Sequence, residues 1–133
     1  MKHAVWLVLV AGLCVLGCNG SHHTGTEPSA AAPVIANLKS LTFVRSDANT
    51  GLLPLSFDYA DTDGDVSQVL FTVPEGTATN PAENTAGHTT GTISVLQAVH
   101  LPDPAAHQLA FSVQVVDSAG HRSNTLQGQI NIP

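Results

Sequence analysis

From Pro33 onward the sequence switches to period two, with apolar residues at every second position of a series of short segments, and no window of eleven residues shows helical spacing. In Leu53-Pro-Leu55-Ser-Phe57-Asp-Tyr59 the odd positions are apolar and the even ones are not, the pattern of a strand with one buried and one wet face. The alternation returns in Leu109-Ala-Phe111-Ser-Val113-Gln-Val115 and in Leu126-Gln-Gly128-Gln-Ile130-Asn-Ile132. Val69, Phe71 and Val73 form another set, Ile93 and Val95 a shorter one, and Val34-Ile35 with Leu41-Thr-Phe43-Val44 opens the series. Strands with one apolar face each must stack sheet on sheet to leave water.

Turn signals separate these strands at Asn49-Thr-Gly51, Asp61-Thr-Asp-Gly64, Pro102-Asp-Pro104 and Ser118-Ala-Gly120. Short strands at this spacing predict a two-sheet antiparallel sandwich. The exception is Pro74 to Thr90, which is polar and holds two prolines. It reads as a long loop, or as a loop containing one short edge strand, the D strand of a seven-strand sandwich.

The phrase Phe57-Asp-Tyr-Ala-Asp-Thr-Asp-Gly-Asp65, followed by a strand at Gln68 to Val73, resembles the B–C region of bacterial immunoglobulin-like, cadherin-like and PKD-like repeat domains. Val115-Val-Asp117-Ser-Ala-Gly-His-Arg-Ser-Asn124 resembles their F–G hairpin. The resemblance implies an all-β, immunoglobulin-like sandwich of about seven strands over residues 34–133. The chain departs from true immunoglobulin domains in lacking their cysteine pair and core tryptophan, its one Trp being Trp6. The resemblance therefore implies a fold and not a function.

Upstream of this domain, Lys2 precedes an unbroken apolar run from Ala4 to Leu16 that ends at Gly17. That run is 13 residues long, whereas a membrane-spanning helix needs about 20, so it reads as an export signal. Val15-Leu16-Gly17-Cys18 resembles the lipobox of bacterial lipoproteins, although Leu16 is bulkier than the Ala or Ser common at that position. The resemblance implies a signal peptide at 1–17, removed to leave Cys18 acylated with palmitate-type chains as a membrane anchor. An ordinary cleaved signal with an incidental cysteine is the alternative. Residues 18–33 then form the lipidated N-terminus and a flexible tether, rich in Gly, Ser, Thr, Ala and Pro, with an extended reach of about 50 Å. Asn19, where many Gram-negative lipoproteins retained in the inner membrane have Asp, favours the outer membrane if the host is Gram-negative. The expected location is the bacterial cell envelope.

Charge narrows the partners. Removing Lys2 leaves three basic residues against ten acidic ones, 3 − 10 = −7, with no basic patch to displace counterions from nucleic acid. The two cysteines are Cys14, in the leader, and Cys18, so no disulfide is available and the domain must hold through its core.

Asp61, Asp63 and Asp65 form the best candidate site, because a hard cation such as calcium takes several oxygen ligands from a short loop. The loop is not an EF-hand: starting at Asp61, the sixth position is Val66 and the twelfth Thr72. The alternative is a β-turn, with Asp favoured at its first position and Gly at its fourth. In the expected topology Asp117 shares their pole, where the first strand begins, and Glu27 of the tether is close enough in sequence to add a ligand. No cofactor is required on this reading, and calcium is the only candidate. The pair His22-His23 reads as solvated, as do His88, His100, His107 and His121 at turns and strand ends.

No Gly-x-Ser-x-Gly elbow, no free mature thiol and no His-Glu-x-x-His helix is present, so a non-enzyme is expected. Phe43, Phe57, Phe71, Phe111 and Tyr59 all fall in the apolar phase, leaving no aromatic platform for sugar rings. The expected function is a structural or protein-interaction module that binds another envelope protein, with the face of Ser112, Gln114, Gln127, Gln129 and Asn131 as the contact surface to weigh against its ordinary reading, a solvated sheet face. The alternative is a loop-mediated ligand-binding or adhesive module, calcium-dependent or carbohydrate-binding.

Overall fold

The computed structural model describes residues 31–133, which contain eight strands and no helix. In chain order they are β1 (Val34–Ser40), β2 (Val44–Arg45), β3 (Thr50–Ala60), β4 (Val66–Val73), β5 (Gly76–Pro81), β6 (Thr90–His100), β7 (Gln108–Asp117) and β8 (Leu126–Asn131). The export signal, Cys18, the tether histidines and Glu27 lie outside the described residues.

One sheet is built around β3, which pairs with β6 along all eleven residues. β1 and β2 follow one another along the other side of β3, β1 against Leu55 to Ala60 and β2 against Gly51 and Leu52. The second sheet runs β5-β4-β7-β8, and every pairing in both sheets is antiparallel. Alternation decides what lies between them. Leu53, Leu55, Phe57 and Tyr59 from β3 meet Val69, Phe71, Leu109, Phe111, Val113 and Val115 from β4 and β7, all buried. Each such side chain contributes roughly 1.5–3 kcal/mol by leaving water. Phe71 and Phe111 stack with ring centroids 5.2 Å apart. Gly128 makes room for that stack, since a Cβ there would lie 2.4 Å from the Phe111 ring.

The all-β sandwich agrees with the alternation, and all five aromatics expected in the core are buried. Two details differ. The chain leaves the sheet at Leu41 to Phe43 and re-enters at Val44, so the opening segment becomes two strands and the total eight. The segment Pro74 to Thr90 does hold a short edge strand, β5, but it pairs with β4 and not in the position of a D strand. The reason is local: the two-residue turn Pro74-Glu75 folds the chain straight back onto the strand it has just left. The other sheet is about 10 Å away, beyond the reach of such a turn. The crossing follows later, through residues 82–89, where buried Thr85 donates its hydroxyl to the carbonyls of Val66 (2.6 Å) and Ala82 (3.0 Å).

Candidate functional site

The three turns at 61–65, 82–89 and 117–124 gather at the pole where β1 begins, since Val34 pairs with Ala60 and Val66 with Asp117. Asp61 follows β3 directly and is 3% exposed. Its Oδ2 accepts from the Asp65 backbone N–H (2.9 Å), and its carbonyl accepts from Gly64 N–H (3.2 Å). Gly64 is required twice. Its φ of 66° lies in the left-handed region, and a Cβ would sit 3.2 Å from the backbone of Gly87 and His88. The close approach lets Gly87 N–H donate to the Gly64 carbonyl at 2.8 Å, joining two loops through their backbones.

Asp65 connects the turn to the β7–β8 connection. Its carbonyl accepts from Ser118 N–H (3.1 Å), and its Oδ2 accepts from the Ser118 hydroxyl. Asp117, fully buried at its side chain, closes the next turn: Oδ1 accepts from His121 N–H (2.7 Å) and Oδ2 meets His121 Nδ1 (2.8 Å). Burial alone would raise the Asp117 carboxyl. The His121 side-chain and backbone hydrogen bonds outweigh it and hold the group below the usual carboxylate value. His121, expected to be solvated, is therefore the partner of Asp117.

Asp61, Asp65 and Asp117 thus share one pole, while Asp63 points into water. Four of their six carboxylate oxygens are hydrogen-bonded, two to backbone N–H groups and two to the side chains of Ser118 and His121. The exceptions are Asp61 Oδ1 and Asp65 Oδ1, which are buried and have no hydrogen-bond partner. Among the described residues, no three His, Cys, Asp or Glu side chains come together as a ready-made metal-ligand group.

Asn124 escaped the sequence reading. Its Oδ1 accepts from Ile35 N–H (2.8 Å) and its Nδ2 donates to the Ile35 carbonyl (2.9 Å), so a side-chain amide clamps the start of β1 to the opposite sheet. An Asn in a polar loop gives no periodic signal. Only its position against a backbone 89 residues away reveals the role.

On the outer face of the second sheet, Gln127 pairs with Ser112 and Gln129 with Ala110, with Gln127, Gln129 and Asn131 exposed as their phase predicts. A shallow depression there is lined by Thr72, Ala110, Ser112, Gln127 and Gln129.

The strand pairing and core define an immunoglobulin-like β-sandwich. No protein-family model matches the sequence, and no curated protein matches it. Among solved structures, the PKD domain of an M14-like peptidase from a Thermoplasmatales archaeon is similar at 16% identity and a TM-score of 0.49, covering 79% of this chain and 99% of that one. The archaellum periplasmic stator protein FlaG from Sulfolobus acidocaldarius is similar at 13% identity and a TM-score of 0.27, covering 69% of this chain and 98% of that one.

Proposed function

We propose that this chain is a bacterial envelope lipoprotein, anchored through acylated Cys18, whose sandwich is a non-catalytic structural or protein-interaction module. The observation behind this reading is the state of the acidic pole. Its carboxylates brace the loops around the start of β1, and Asn124 ties that strand, already paired with β3, to the opposite sheet as well, an arrangement suited to transmitting load from a membrane attachment. The burial of Phe43, Phe57, Phe71, Phe111 and Tyr59 removes the stacking surface that a carbohydrate module would need. The anchor is tested by replacing Cys18 with Ser. Two or more acyl chains hold a protein firmly, so the wild type stays with membranes in high salt and the variant is released. A variant that still sediments would end the lipoprotein reading.

One observation favours a second role for the same pole. Two buried carboxylate oxygens without partners, Asp61 Oδ1 and Asp65 Oδ1, are a liability that a cation would relieve. With only two such oxygens, water and backbone carbonyls must complete the shell, so affinity is expected near the weak extracellular range of about 10⁻⁴–10⁻³ M for calcium. Binding to the folded state raises the melting temperature by mass action. Melting with and without millimolar calcium tests it. A midpoint that does not move returns the cluster to a purely structural turn.

A further inference from the structure

Among the described residues, strand β6 has a neighbour on one side only, and the direction of its unused backbone groups follows from Pro54. The Pro54 carbonyl accepts from Leu41 N–H, on the side of β3 away from β6. In an extended chain the N–H and C=O of one residue point the same way, so Pro54 and its partner Leu96 form a pair without mutual hydrogen bonds. Leu96 therefore directs both groups away from β3. Bonds from Asp61 N–H to the Thr89 carbonyl (2.7 Å) and from Leu101 N–H to the Asn49 carbonyl (2.6 Å) fix the same phase at both ends. Thr90, Thr92, Ser94, Leu96, Ala98 and His100 thus present donors and acceptors along a free edge. Only the Ala98 carbonyl is engaged, by the Gln97 side chain at 2.6 Å.

Sheet edges are ordinarily blunted by brevity, proline, charge or a bulge. Each other edge here has such a device. β1 carries Lys39 and an irregular register with Asn37 at φ 55°, β2 is two residues long, β5 is six residues ending in Pro81, and β8 is six residues with β1 packed nearby. β6 has none of them: its eleven residues include no Asp, Glu, Lys, Arg or Pro, and its register with β3 is unbroken.

We propose that β6 is a homodimerisation edge, pairing antiparallel with β6 of a second copy. A two-fold axis at Val95 lays Thr90–His100 onto itself, matching Ser94 with Leu96, Thr92 with Ala98 and Thr90 with His100. All of these are outward-directed residues, so each free N–H faces a carbonyl, unengaged in every case but that of Ala98, whose second lone pair remains for Thr92 N–H. Two copies of an acidic chain repel each other, and β6, without Asp, Glu, Lys or Arg, is the edge along which that repulsion is least. The side chain most relieved is Leu96, 61% exposed, which continues into an apolar strip of Pro54, Leu52, Val44 and Leu41 on the same outer face. Pairing one strand buries less than the ~800 Å² per partner of a standard interface, so the dimer is weak and transient.

The test is sedimentation of the purified full chain in non-ionic detergent and reductant from about 1 to 500 µM. The wild type passes from monomer to dimer over this range. Ser94→Pro removes one edge-directed N–H and no bond to β3, and weakens dimerisation at least about tenfold with the fold intact. A wild type that stays monomeric throughout overturns the proposal, as does a dimer indifferent to Ser94→Pro. Should that variant misfold, amide exchange on the wild type decides. Protection of the Thr92, Ser94 and Leu96 amides that is lost on dilution supports the pairing, and rapid exchange at every concentration refutes it.

Discussion

The acidic pole and the β6 edge are opposites in what they advertise and what they hold in reserve. At the pole, residues rich in chemistry, Asp61, Asp65, Asp117 and His121, direct most of their polar atoms at neighbouring backbone and side chains. Along the outer edge of β6, side chains with little chemistry accompany a row of backbone groups of which, among the described residues, only the Ala98 carbonyl has a partner. The comparison teaches that residue type marks where chemistry is available, while satisfaction of hydrogen bonds marks where it is still free.

The largest effect that bears on this comparison comes from the core, which sets its scale. Phe111→Ala removes a buried ring stacked on Phe71 and is expected to cost about 3–5 kcal/mol in chemical denaturation. Next comes the pole: Asp61→Ala leaves the Asp65 N–H without its acceptor and is expected to cost about 1–3 kcal/mol. A loss under about 0.5 kcal/mol would mean that the turn does not need its carboxylate, and the contrast with β6 would collapse.

Acid should act on the pole before it acts on the edge. The folded-state value of Asp117 is depressed, so its contribution is complete above the unfolded value near 3.8 and is lost as pH falls through the lower folded value. Asp47, held down first by the Thr50 hydroxyl, and Asp58, held down first by Asn37, act in the same direction. Denaturation followed from pH 6 to 2 is expected to show stability falling below about pH 4, with a shallower fall in Asp117→Asn. An equally steep fall in that variant would remove Asp117 from the account. The smallest effects belong to the wet faces. Ser94→Ala and Gln127→Ala should each change monomer stability by less than about 0.5 kcal/mol, and a larger loss would mean that these strand faces are not free.

The strands were legible because burial of one face imposes period two on the sequence itself. Phe57, Phe71, Phe111 and Val113 all lie where that phase puts them. The acidic turn was legible as a turn, since Asp at its start and Gly64 at its fourth position answer local backbone geometry. The pairing of Asp117 with His121 spans four residues and was within reach of the same local reasoning. The clamp of Asn124 on Ile35 was not, because no short-range rule links positions 89 apart.

What the sequence by itself determined is therefore the all-β class, the core residues and the turn positions, each a consequence of physics acting over a few neighbours. The tertiary structure alone decided that Asn124 bridges the sheets and that β6 is left at an edge. Sheet order depends on which strands are brought side by side across tens of residues, and alternation is the same whichever neighbour a strand acquires.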